Sequence, residues 1–502
     1  MEQMMRKYPV GIQTFERIIK DGFIYVDKTD LVWQLAHYAT FVFMSRPRRF
    51  GKSLLTSTLD SYFKGDRELF KGLKIMSLEK EWAQYPVIHL DLSVAKGQDD
   101  AESLRETLMW MMEPLANIYG RKETETTPGK LLTGLIHRAQ EKTGKQVAVI
   151  IDEYDAPLLD VLHDQATLDA MRKVMQEFYV PLKANEEFIK FCFITGITKF
   201  SQLSIFSTIN NLLNVTLDET FATICGFTEE ELCTTLWPDV ERLALALKMT
   251  PEQMHDKLKL QYDGYHFAAE APEVYNPFSL LNCFVRRKVS NYWFASGTPT
   301  FLIKQMQHFH TDITSLDSLD VPETAFDQPT ENMKDALPLL YQSGYLTIKD
   351  YNPFSMEYTL GFPNTEVKVG LLHSLIPFYV SKESAKASSA LGNMWLALMK
   401  DDLDGMLHIA RSFFASIPYQ EGTLKDMKTS EGHYTAMLYV MFSLFSNFCY
   451  SQVRTAEGRM DILLKTASTI YVMELKIDGS VDDALTQIDD KGYLIPYESD
   501  GR

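Results

Sequence analysis

The chain has 502 residues, too many for one compact core, so about three domains are expected. Its composition, 45% hydrophobic and 23% charged without low-complexity runs, is that of a globular protein and excludes a disordered or fibrous one. A net charge of −17 argues against a protein that coats nucleic acid by bulk electrostatics, while leaving room for a grip through one local basic surface.

The longest apolar stretches, such as MLYVMFSLF, fall well short of the roughly 20 residues a membrane span needs, so no membrane partner is expected. No cationic leader with a small-residue cleavage site opens the sequence, and the expected location is cytoplasmic. Cys192, Cys225, Cys233, Cys283 and Cys449 are odd in number and never spaced CxxC. That pattern predicts reduced thiols and no zinc site.

The first half alternates short apolar runs with amphipathic ones. TFVFMS, YPVIHLDLS, QVAVIIDEYD and FIKFCFITGIT read as strands buried on both faces of a parallel sheet. KSLLTSTLDSYF, ESLRETLMWMMEPLANIYG and LDAMRKVMQEFYVPLKAN read as the helices between them. This βαβ alternation predicts an α/β doubly wound domain over residues 1–210. Beyond it, TEEELCTTL, DVERLALALKM, TPEQMHDKLKLQYDGYHF and NPFSLLNCFVRRKV read as helices with Thr, Asp or Asn caps, a helical region over 211–330. Residues 331–426 then give helix, strand, Asn-Pro turn, strand and helix, an order compatible with a winged helix. Residues 427–502 form a further unit: an apolar helix, three strand candidates and a closing helix.

The first candidate site is SRPRRFGKSLL. A phosphate loop needs converging backbone N–H groups, a lysine for the β/γ-phosphates and a hydroxyl for Mg²⁺. Gly51, Lys52 and Ser53 supply the last part of GxxxxGK(S/T), after an apolar strand and at the start of a helix. Arg46 stands where the first glycine belongs, and Arg48 and Arg49 add positive charge. A bare GKS also serves as a polar helix cap, so a second element matters. VAVIIDEYD ends in Asp152 and Glu153, placed to hold Mg²⁺ and to polarise the attacking water respectively. Thr195 and Thr198 stand at the exit of FCFITGITKFS, where a polar residue can sense the γ-phosphate or simply be solvated.

YVDKT, RPRRFGKSLL, VIIDEYDAPL, TGITKFSQLSIFSTINNL and YNPFSLLN closely resemble the AAA-ATPase-like family, in which RPRRFGKS is the ordinary form of the loop. The wider group of signal-transduction ATPases with a GPRRxGK(S/T) loop, a helical lid and a winged helix is also similar. The resemblance implies ATP as ligand, held by the stretch Arg48, Arg49, Phe50, Gly51, Lys52, Ser53 and Leu54 with Asp152 and Thr198. Mg²⁺ would sit on Ser53 and Asp152, with Glu153 catalytic. No arginine finger is assigned.

The second candidate site lies in GRMDILL and MELK. Asp461 falls on one expected strand, and Glu474 and Lys476 share the next, two residues apart and so on one face. Two such carboxylates can bind Mg²⁺ or Mn²⁺, and a nearby lysine can orient water. Glu431 on the preceding helix can complete the cluster; surface carboxylates on an edge hairpin are the alternative. Helix-Glu, strand-Asp, strand-ExK and a following helix resemble the PD-(D/E)XK nuclease superfamily over roughly Met427 to Arg502. The resemblance implies metal held by Glu431, Asp461 and Glu474, catalysis by Asp461, Glu474 and Lys476, and a supporting Gln487. Met460 stands where the name-giving motif has Pro, and the sequence closes on GYLIPYESDGR, where the resemblance implies a further strand.

The expected function is thus ATP hydrolysis coupled to metal-dependent cleavage of DNA or RNA in a bacterial-type protein, with self-association into an oligomer left open. The alternative is an ATP-switched scaffold whose nuclease-like domain only binds a partner.

Overall fold

A computed structural model of the chain describes residues 6–162, 164–199, 211–295, 300–329, 333–379, 392–398, 400–415, 439–440, 443, 449–454, 458–465, 468–474, 476 and 480–501. The chain packs as two units. One comprises Met1–Trp293 with Val321–Tyr358, the other Phe294–Asp320 with Thr359–Arg502.

The first unit is built on a five-stranded sheet of β1 (Phe41–Ser45), β2 (Val87–Asp91), β3 (Val147–Asp152), β4 (Ile189–Gly196) and β5 (Leu213–Asn214). Their order is β2-β3-β4-β1-β5 and every pairing is parallel. Each residue of β1 and β3 is buried, which is why these strands read as unbroken apolar runs rather than alternating ones. Helices Ala101–Tyr119, Pro128–Thr143 and Gln165–Ala184 bury Leu108, Leu132, Ile136 and Phe178 against Val149 and Ile151 in one continuous core. The helix Lys52–Phe63 follows β1 directly and packs on β3.

After the sheet come the short strands β6 (Phe227–Thr228) and β7 (Val274–Tyr275), paired antiparallel, and helices Glu229–Thr234, Trp237–Leu247, Pro251–Tyr262 and Pro277–Arg286. Their starts follow from local chemistry. Thr228 with Glu231 and Thr250 with Gln253 form reciprocal capping boxes, and the Asn276 side chain accepts from the Ser279 N–H. These helices share their own core, with Leu236, Leu243, Leu258 and Leu280 at its centre. Further on, β8 (Leu319–Pro322) precedes helix Leu337–Gln342, β9 (Thr347–Asn352), β10 (Glu357–Gly361) and helix Thr365–Tyr379.

Within the second unit, β11 (Cys449–Arg454), β12 (Arg459–Lys465) and β13 (Ile470–Met473) form an antiparallel sheet in that order. Met460, Leu463 and Tyr493 make a small buried cluster there. Met460 is fully buried, so an apolar side chain at this position is a packing requirement. The helix Val481–Asp490 starts at a Ser480–Asp483 capping box. Among the described residues, no helix is long and apolar enough to cross a membrane.

Candidate functional site

In a parallel sheet all strands deliver their C-terminal ends to one edge, where ligands bind in open α/β folds. Here Ser45 of β1 pairs with Gly196 of β4, and Ile151 of β3 pairs with Ile194, so three exits stand level. The loop 46–51, the pair Asp152-Glu153 and the residues 197–199 therefore meet.

The loop turns by left-handed backbone at Arg49 (φ 70°) and at Gly51 (φ 97°), which leads into the helix Lys52–Phe63. Position 46 does not adopt positive φ, so the conformational reason for a glycine there is absent. Arg46 instead turns its side chain into the interior, where it is 1% exposed. Its Nη1 donates to the carbonyls of Ser45 (2.9 Å) and Thr216 (2.7 Å), and Nη2 to that of Phe221 (3.1 Å). The guanidinium lies 4.4 Å from the centre of the Phe267 ring. Burial pulls its pKa below the usual arginine range. Arg46 is thus a tie between β1 and the segment after β5, not a loop residue that lost its glycine. Phe50 is also an anchor, buried with its ring 4.6 Å from Tyr265 and 5.2 Å from Phe267. Arg48 and Arg49 are exposed, with Arg49 over the Phe278 ring and the Arg48 carbonyl accepting from Trp293 Nε1. Leu54 is half-buried.

Lys52 is buried at the helix start. Its Nζ donates to the carbonyls of Arg46 (3.1 Å) and Pro47 (3.2 Å) and lies 3.7 Å from Glu153 Oε1. Among the described residues no carboxylate lies closer to the amine than this, so its charge can serve an anion entering the loop. The N-cap residue of the helix Lys52–Phe63 is Gly51, which has no side chain to cap it, and the first N–H groups of a helix are suited to the same anion. Asp152 is buried beside Ser53, and its carboxylate accepts from the Glu153 N–H at 2.9 Å and from Thr56 Oγ1 at 3.4 Å. Burial raises its pKa, Glu153 and Asp91 add to the rise, and Ser53 and Lys52 oppose it. A buried carboxylate beside a serine hydroxyl, with its charge disfavoured until a cation arrives, suits a divalent ion. These residues fit a nucleotide with its magnesium.

Glu153 has left-handed backbone (φ 50°), unfavourable for a residue with a Cβ and frequent where function over-determines the chain. What holds it is the turn beyond, which sequence reasoning passed over. Asp155 is fully buried and accepts from the Ile197 N–H (3.1 Å), the Thr198 N–H (2.6 Å) and Thr198 Oγ1 (2.6 Å). Tyr154 donates its N–H to Thr195 O and its hydroxyl to Thr198 O, both at 3.0 Å. A Cβ on Gly196 would fall 2.3 Å from Asp155 Oδ1, so only glycine admits this turn. Asp155 is pushed up to about 6, by burial first and then by the Glu153 charge. The signal that could have found it was the second aspartate of DEYD. Thr198, expected as a phosphate sensor, commits its one hydroxyl proton to Asp155 and offers a phosphate only lone pairs. Thr195 is buried on β4, its Oγ1 without a partner among the described residues.

In the second unit, Asp461 lies on β12, where the register that pairs Ile462 with Met473 places it opposite Glu474. β13 ends at Met473, so Glu474 and Lys476 stand just past the strand rather than within it. The fraying is local: the two carboxylates remain neighbours, and the Asp461 charge raises the Glu474 pKa after burial has done most of the work. Lys476 Nζ donates to Glu474 Oε1 at 3.2 Å, and Gln487 Nε2 donates to the same oxygen. Oε2 of Glu474 is buried with no hydrogen-bond partner among the described residues. An orphaned carboxylate oxygen beside a second acid fits a divalent cation. Glu431 lies outside the described residues.

Residues 9–206 match the AAA-ATPase-like family, described as predicted AAA-ATPase, and residues 429–502 match the PD-(D/E)XK nuclease superfamily. The chain is also similar to the "Uncharacterized protein in vnfD 5'region" of Azotobacter chroococcum mcd 1, with 31% identity over 505 residues, covering 99% of this chain and 94% of that protein. The chain therefore belongs to the AAA-ATPase-like family and carries a C-terminal domain of the PD-(D/E)XK nuclease superfamily.

Proposed function

We propose that the chain binds and hydrolyses ATP at the exits of β1, β3 and β4, and that its C-terminal site cleaves DNA or RNA with Mg²⁺ or Mn²⁺. The observation that carries the first part is the convergence of Lys52, Ser53, Asp152 and Glu153, with Lys52 Nζ 3.7 Å from Glu153. In this reading Lys52 exchanges its two loop carbonyls for phosphate oxygens, and the N–H groups from Gly51 onward cradle the same anion. Ser53 and Asp152 hold Mg²⁺, which when bound neutralises charge on the phosphate oxygens. Glu153, partly exposed at the strand exit, orients a water and takes its proton. Asp155 keeps the Glu153 turn in place without touching the nucleotide. Arg48 and Arg49 add positive charge at the rim.

At the second site Asp461 and Glu474 hold the cation, Lys476 orients the attacking water, and Gln487 fixes the Glu474 carboxylate. The cation supplies a polarised phosphate and a more acidic water. We assign residues 1–210 to the ATPase domain, 211–330 to a helical lid, 331–426 to a winged-helix-like connector and 427–502 to the nuclease-like domain, in a cytoplasmic protein. ATPase measurement on the intact chain with Glu153→Gln tests the first site: ATP should remain bound while hydrolysis slows at least a hundredfold, in keeping with loss of a general base. Wild-type turnover in that variant contradicts the assignment.

A further inference from the structure

Outside both sites, the helices that follow the sheet bring three different metal-ligating side chains together. Glu229 and Cys233 are four residues apart on the helix Glu229–Thr234 and share a face. His255 comes from the first turns of the helix Pro251–Tyr262. One carboxylate oxygen, the Cys233 Sγ and one ring nitrogen of His255 all lie within 4.8 Å of one another. His255 Nε2 contacts Glu229 Oε1, and Cys233 Sγ is 3.8 Å from that oxygen.

We propose that Glu229, Cys233 and His255 form a site for a divalent transition-metal ion of the zinc type, with its fourth position open to water. The donor set selects the ion. Thiolate, imidazole and carboxylate together suit Zn²⁺, Co²⁺ or Ni²⁺, whereas Mg²⁺ and Ca²⁺ take oxygen ligands. Metal–ligand bonds of about 2.0–2.3 Å put tetrahedral ligand atoms roughly 3.3–3.8 Å apart. The existing spread of at most 4.8 Å therefore closes by about an ångström, which an exposed cysteine rotamer can supply. Cys233 gives up its thiol proton to solvent on binding.

The surroundings support ligands rather than an incidental ion pair. The buried Tyr275 donates its hydroxyl to the other Glu229 oxygen at 2.6 Å, fixing the carboxylate. Asp256 Oδ1 lies 3.5 Å from His255 Nδ1, the far side of the imidazole, where a carboxylate orients a metal-bound ring. Such a site clips the helix Pro251–Tyr262 to the helix Glu229–Thr234. It was invisible to cysteine spacing because its ligands are one of each kind and come from two helices.

The test uses the full-length chain carrying Asp461→Ala, so that the nuclease-like site does not contribute, and Co²⁺ alone as the probe. One equivalent of Co²⁺ should produce a thiolate-to-cobalt charge-transfer band. It should also quench Trp237, whose ring is 6.1 Å from that of His255. Cys233→Ser should remove the band. His255→Ala should weaken binding at least tenfold, and Tyr275→Phe should weaken it about 10- to 100-fold while keeping the band. Both Cys233→Ser and His255→Ala change side chains at least partly exposed, so their folds are expected to persist. Absence of a thiolate band at saturating Co²⁺, or a band of unchanged affinity in His255→Ala, overturns the proposal.

Discussion

Arg46→Gly would restore the first glycine of GxxxxGK(S/T), and by consensus alone it should improve the loop. The structure predicts the opposite. Arg46 carries three hydrogen bonds to main-chain carbonyls and stacks on Phe267. Hydrogen bonds from a charged donor are worth about 1.5–3 kcal/mol each, and a desolvated cation–π contact about 2 kcal/mol. Desolvating the guanidinium cancels several kcal/mol of that sum. Removal nevertheless strands buried carbonyls, opens a cavity and adds backbone freedom at a position with no need for positive φ, so the net loss is on the order of 3 kcal/mol. With an unfolding entropy of about 2.1 cal/mol/K per residue over the unit Met1–Trp293 with Val321–Tyr358, that corresponds to a melting temperature lower by roughly 4 °C. Differential scanning calorimetry of the intact chain, with ATP titrated separately, measures both quantities. An Arg46→Gly protein that melts with the wild type and binds ATP more tightly would refute the reasoning.

Lys52→Ala should abolish ATP hydrolysis and weaken nucleotide binding at least tenfold by calorimetry; undiminished turnover counts against the loop. Asp152→Asn should shift the Mg²⁺ dependence of hydrolysis to higher concentrations, since the amide is a poorer ligand. Asp155 has its pKa raised from 3.8 to about 6, so it stabilises the fold in its protonated form. That contribution is complete below about pH 4 and is lost as pH rises through about 6. Urea titrations should therefore show a component of stability falling across this window that is missing in Asp155→Asn, and coincident pH profiles for the two proteins would count against it. Lys476→Ala should slow nucleic-acid cleavage while leaving metal affinity nearly intact, because an ammonium is not a ligand to a cation; a parallel loss of metal binding would move Lys476 out of its assigned role.

Much of the sheet was legible because buried parallel strands leave unbroken apolar runs, and because the chemistry stands where those runs stop. The helix Lys52–Phe63 was read with its observed limits for the same reason. Capping residues announced the helices at Thr228, Thr250 and Asn276. What stayed hidden depends on partners distant in sequence. β5 is only two residues long and is a strand because β1 lies beside it. The role of Arg46 rests on Thr216, Phe221 and Phe267, none of which a loop motif contains. Glu153 gave no sign of its left-handed backbone, which is set by Tyr154 and Asp155 gripping the end of β4. The helix Pro128–Thr143 carried usable signals that were not singled out: Pro at its start and a left-handed Gly144 at its end. At the second site, antiparallel pairing made the Asp461–Glu474 neighbourhood readable, whereas the early end of β13 was not.

Cleavage of labelled DNA and RNA by the intact chain, with Mg²⁺ or Mn²⁺ and in the presence or absence of ATP, tests the central claim most directly. Metal-dependent cleavage whose rate responds to ATP is the expected result. The ATP response should vanish in Lys52→Ala and cleavage itself in Asp461→Ala, while Asp461→Ala keeps its ATPase activity. An intact ATPase that cuts neither substrate with either metal would contradict it and make the C-terminal domain a binding module.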